Sequence, residues 1–137
     1  MSKQLMIGGQ ALVKLGSNRT TEDTDYLVSI AGKPVFSFDK EANVDYINAD
    51  GGNKFFAEIW KLEAKNIGEL ASPTALANLK AYSLVQHCLN GHWKKADDAE
   101  FDIKFLVREF NLTIDAFKIV KKHVSVGEFS EIENVVK

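Results

Sequence analysis

The chain has 137 residues, 45% hydrophobic and 26% charged, enough for one globular domain that buries a core without cross-links. Two prolines and nine glycines exclude a collagen-like or low-complexity chain. Seventeen basic side chains against 19 acidic ones, a net of −2, argue against binding nucleic acid by bulk charge. In chain order, Lys3–Ile7 is a short apolar stretch ending at Gly8-Gly9, and Gln10–Leu15 reads as a short helix stopped by Gly16. After the polar loop Ser17–Glu22, Asp23–Ile30 alternates as a strand, with Thr24, Tyr26, Val28 and Ile30 on one face. Ala31-Gly32-Lys33-Pro34 is a turn, Val35–Phe38 and Asn43–Ile47 are further strands, and Ala49–Asn53 turns again. Phe55–Leu62 fits a strand or a helix equally.

The second half is helical. Ser72 before Pro73 caps a helix reaching Leu89, with Asn90-Gly91 as its stop. Asp97 or Asp98 is expected to cap the next helix, where Ile103, Leu106, Val107 and Phe110 repeat at helical spacing. Thr113–Val124 carries a third helical pattern, and a polar segment follows. Strands first and helices after predict an α+β domain, a sheet part at 1–70 and a helical tail at 71–137.

The single cysteine, Cys88, leaves no internal disulfide and fits a reducing compartment. No apolar run approaches the roughly 20 residues that cross a bilayer, and Met1–Ile7 is too short for a secretory signal. A cytoplasmic protein with no membrane partner is expected, so the glycosylation patterns at Asn18 and Asn111 carry no meaning. The near-neutral total hides opposite blocks: +3 over residues 1–19, −5 over 20–50, +3 over 74–95 and −4 over 96–117. Such blocks are usually solvated surface, but they also suit an acidic strand facing a basic helix.

The informative segment runs from Ile7 to Val28. Paired glycines between a strand and a helix let backbone N–H groups approach an anion. Asp23 and Asp25, at i and i+2 on a strand, share a face and repel unless a cation sits between them. Mg²⁺ held by one or two carboxylates and substrate phosphates suits that arrangement, and Arg19 supplies a guanidinium for phosphate.

The stretch Ile7-Gly8-Gly9-Gln10-Ala11-Leu12, with Arg19-Thr20-Thr21-Glu22-Asp23-Thr24-Asp25-Tyr26-Leu27-Val28 after it, resembles the signature of the nucleotidyltransferase (polymerase-beta-like) superfamily. Within it, the likeness is to minimal nucleotidyltransferases of the AbiEii toxin type. The resemblance implies a small mixed sheet with flanking helices and transfer of a nucleoside monophosphate from an NTP to an acceptor hydroxyl. It also implies two Mg²⁺ (or Mn²⁺) ions on an acidic triad. Position by position, Gly8, Gly9, Ser17, Arg19 and Thr21 would hold the nucleotide, and Asp23 and Asp25 the metal. Asp45 is the expected third acid, with Asp39, Asp50 and Glu58 as competitors. Lys80 and Asp102 would border the nucleotide from the helical tail. The acceptor implied is RNA, protein or a small molecule such as an antibiotic, and a cognate antitoxin is an implied partner. The rival reading is a catalytically silent domain of the same fold that neutralises or assembles with a partner.

Other signals have plainer readings. His87 and His92, at i and i+5, do not share a helix face and, with Cys88, complete no zinc site. Trp60, Trp93 and the nine phenylalanines read as packing, and Lys118, Lys121 and Lys122 as a solvated helix face.

Overall fold

The computed structural model describes residues 3–18, 21 and 24–137, which divide into two compact units, one ending at Ser72 and the other spanning Pro73–Lys137. In the first unit, β1 (Leu5–Ile7) leads directly into α1 (Gly8–Lys14), followed by β2 (Thr24–Val28), β3 (Phe36–Asp39), β4 (Val44–Asn48) and α2 (Lys54–Leu62). The sheet order is β1-β2-β4-β3; β2 and β4 run parallel, and each edge strand is antiparallel to its neighbour. Alternation places Leu5, Leu27, Ile47 and Phe36 in one row of a single sheet face, and Ile7, Asp25, Asp45 and Phe38 in the next. Leu5, Leu12, Leu27, Phe55 and Ile59 are buried in this unit.

The ambiguous stretch Phe55–Leu62 is helical. Asn53 caps it by accepting from Phe56 N at 3.1 Å, and Phe55, Phe56 and Ile59 fall on its buried side. Buried Asn48 ties the β2–β3 turn: its side chain accepts from Ile30 N and donates to Ile30 O and Lys33 O. Buried Glu63 accepts from Ser72 N at 2.6 Å and from the Ser72 hydroxyl at 3.0 Å, closing the C-terminal end of the unit.

The second unit packs α3 (Pro73–Leu89), α4 (Trp93–Phe110), α5 (Lys118–Lys121) and α6 (Val126–Val136) around Leu76, Ile103, Leu106, Phe117, Val120 and Ile132. Fully buried Asn78 donates to Thr74 O and Ala116 O and accepts from Val120 N, which fastens the segment before α6 to α3. Two expectations need correction. The helix α4 starts at Trp93, not at Asp97 or Asp98, because Gly91 at φ +70° closes a tight turn and Ala96 N already bonds His92 O. The aspartates therefore lie inside the helix, and Asp98 pairs back to Lys94 at 3.4 Å. The polar C-terminal segment is the helix α6, nucleated by a reciprocal Ser125–Glu128 capping box that buries Phe129, Ile132 and Val135. Asn111, at φ +53°, is the left-handed C-cap of α4. Among the described residues, no helix is long and apolar enough to cross a membrane.

Candidate active site

The strand-to-helix junction explains why two glycines stand there. Gly8 has φ +77°, and a Cβ at that position would meet the Asp25 carboxylate oxygen at 2.1 Å. The Asp25 side chain therefore rests on the backbone at the start of α1. A Cβ on Gly9 would meet Thr21 Cγ2 at 2.8 Å, and Gln10 Nε2 donates to Thr21 O at 2.9 Å. Thr21 is thus held against the glycine pair, a close approach that a side chain at position 9 would not permit. Gly8→Ala is expected to cost about 1–2 kcal/mol from its left-handed backbone. It also displaces the Asp25 carboxylate, and the sum is measurable as a lower denaturation midpoint.

Asp45 on β4 is the register partner of Asp25 on the parallel neighbour β2. The two carboxylates belong to one row of one face, half-buried, with Ile7 on one side and Phe38 on the other. None of the competitors shares that row. Asp39 pairs with Val44, on the opposite face, and its Oδ1 accepts from Glu41 N and Ala42 N in the β3–β4 turn. Asp50 lies in the turn after β4, and Glu58 on α2. Arg19 and Asp23 lie outside the described residues. Ser17 is buried beyond the C-terminal end of α1, its N–H bonded to Leu12 O at 3.0 Å, at the other end of that helix from the glycine pair. A cavity of about 240 Å³ in this unit is lined by Met6, Tyr26 and Glu69, and Met6 and Tyr26 belong to the sheet face opposite Asp25.

Lys80 and Asp102, both in the second unit, form an ion pair at 2.9 Å, with the Asp102 side chain fully buried and that of Lys80 16% exposed. The resemblance implies both residues as nucleotide contacts but not that they pair with each other.

His87 and His92 also meet, contrary to the helix-face argument. The helix ends at Leu89, His92 N donates to His87 O at 2.9 Å, and the turn folds His92 back until the rings are 6.0 Å apart. Burial, then the charges of Lys95, His92 and Lys80, hold the His87 pKa below its ordinary 6.5. As pH falls below 6.5 the unfolded chain protonates His87 before the folded chain does, so folding stability is lost on the acid side. His87→Gln is expected to shrink the drop in urea midpoint between pH 7.5 and pH 5.5. Burial, then nearby Glu131, Glu100 and Asp97, pushes the Cys88 thiol up, which keeps it protonated and unreactive at neutral pH.

The donor set for a cation is one of hard carboxylate oxygens, suited to Mg²⁺ or Mn²⁺ rather than to softer metals. Among the described residues, no three His, Cys, Asp or Glu side chains gather as a metal site, and one of the three acids that the resemblance implies, Asp23, lies outside them. The chain matches no family model, no curated protein and no solved structure.

Proposed function

We propose that this chain is a nucleotidyltransferase that moves a nucleoside monophosphate from an NTP to an acceptor hydroxyl. The observation that carries the reading is the Asp25–Asp45 register pair, with the Asp25 carboxylate seated on Gly8 at the start of α1. Like charges opposite each other on neighbouring strands are destabilising, and a cation held between the two carboxylates would relieve that repulsion.

Asp25 and Asp45, with Asp23, would hold Mg²⁺, which when bound neutralises the pair and draws charge from the phosphates. Gly8 and Gly9, lacking Cβ atoms, bring the Asp25 carboxylate and Thr21 against the start of α1, beside the backbone N–H groups that phosphate oxygens would meet. In the row Ile7, Asp25, Asp45, Phe38, the glycine pair lies at one end and Asp45 towards the other. That order suits in-line displacement, with pyrophosphate leaving on the glycine side and the acceptor arriving on the β3 side. The Asp45 carboxylate takes the hydroxyl proton as the new P–O bond forms and the bond to pyrophosphate breaks. Positioning and charge stabilisation supply most of the rate.

The test incubates purified protein with Mg²⁺, each α-labelled NTP, and total cellular RNA or protein. Label transferred by wild type and lost in Asp25→Ala supports the reading. Absence of both transfer and Mg²⁺-dependent NTP binding overturns it in favour of a catalytically silent binding domain.

A further inference from the structure

The two edges of the sheet are finished differently. The outer side of β1 is covered: Met6 N donates to Glu69 O at 2.9 Å, Gly68 N to Gln4 O at 2.7 Å, and Ala71 N to Met6 O at 3.1 Å. No strand covers the outer side of β3 among the described residues, and all four of its residues are exposed. Edge strands are normally blunted by lysine, proline or a bulge. Phe36-Ser37-Phe38-Asp39 contains neither lysine nor proline. Phe36 is 67% exposed and Phe38 55%, and both project on the face that carries Asp45. Phe36 is braced edge-to-face at 6.1 Å against Phe56, itself buried, so the shelf is preformed.

We propose that the open edge of β3 is a docking strand for an extended, basic segment of a partner protein. The segment pairs backbone to backbone with Phe36–Asp39 and lays lysine or arginine side chains over the two rings. Charge complementarity selects this occupant. Residues 35–48, which span the whole hairpin, carry Asp39, Glu41 and Asp45 against Lys40, a net of −2. A nucleoside triphosphate carrying two Mg²⁺ is close to neutral, so its arrival leaves that field in place. A second copy of this chain would set two such blocks against each other, and RNA would bring its phosphates into the same field. The inference goes beyond nucleotidyl transfer and does not depend on it.

The probe is a fluorescein-labelled ten-residue peptide alternating lysine and valine, with its glutamate–valine counterpart and a ten-nucleotide oligouridylate as comparisons. Binding is read by anisotropy with the full chain, without NTP or Mg²⁺. The lysine peptide is expected to bind at least tenfold more tightly than either comparison and to slow amide exchange at Phe36–Asp39. Phe38→Lys, a surface change, is expected to weaken it at least tenfold, Phe38→Tyr to retain it, and Asp25→Ala to retain most of it while losing transfer. The proposal is overturned if the lysine peptide does not bind, if the oligouridylate binds as tightly, or if Phe38→Lys binds equally. It is also overturned if no amide of β3 gains protection, or if the free protein dimerises through β3 and Phe38→Lys abolishes the dimer.

Discussion

Asp45→Asn is expected to reduce label transfer by about 10³-fold or more, the loss of roughly 4 kcal/mol of transition-state stabilisation. Asp25→Ala should do the same. The informative part is the accompanying stability. Asp45 stands beside Asp25 across a parallel strand pair, half-buried on the same face. In metal-free protein the neutral asparagine removes a like-charge contact and should stabilise the fold by about 0.5 kcal/mol. In wild type, added Mg²⁺ should raise the melting temperature, and in Asp45→Asn that increment should largely disappear. Asp39→Asn is the control. It sits on the opposite face of the same hairpin and keeps its turn-forming oxygen, so transfer should be unchanged. Equal losses from Asp39→Asn and Asp45→Asn would remove the argument from sheet register.

The second large effect belongs to Asp102. Its carboxylate is fully buried 2.9 Å from the Lys80 ammonium. Asp102→Ala strands a largely buried cation, for which breaking a pair typically costs about 3–5 kcal/mol. Thermal unfolding followed by circular dichroism should shift down by on the order of 10 °C. The double variant Lys80→Met/Asp102→Leu removes both charges at similar volume and should recover most of that loss. Its activity separates two roles for the pair. Recovery of stability without recovery of transfer gives the charged pair a role beyond folding; recovery of both makes the pair structural alone.

Much of the secondary structure was legible because its causes are local. Pro73 and Asn90-Gly91 bracket α3, and the alternation through Thr24–Val28 reads directly as a strand. The helix α6 is equally legible in Ser125 and Glu128 followed by Phe129, Ile132 and Val135, a capping signature set among charged residues. The start of α4 was not, since an Asp-Asp pair imitates a cap and only the Gly91 turn shows that the helix has already begun. Phe55–Leu62 stayed ambiguous because its apolar residues fit both periods until Asn53 and the packing side are known. For the site, residue types and spacing pointed to Gly8, Gly9, Asp23 and Asp25; the resemblance implied a third acid, for which Asp45, Asp39, Asp50 and Glu58 competed. Ser17 looked like a loop residue near the glycines because sequence distance does not record the direction in which α1 runs.

By itself the sequence determined the chemistry on offer: carboxylates two apart at positions 23 and 25, a glycine pair, and a −5 block flanked by basic ones. These follow from the order of side chains and the repeat of the backbone. Only the tertiary structure decided which groups meet. Inserting β4 between β2 and β3 puts Asp45 beside Asp25 and Phe38 beyond it, and turns Asp39 away. Packing α3 on α4 joins Lys80 to Asp102 across 22 residues, and one left-handed glycine brings His92 back onto His87. Those pairings depend on strand order, register and helix packing, which arise from burying apolar faces throughout each unit, and no local window of residues records them.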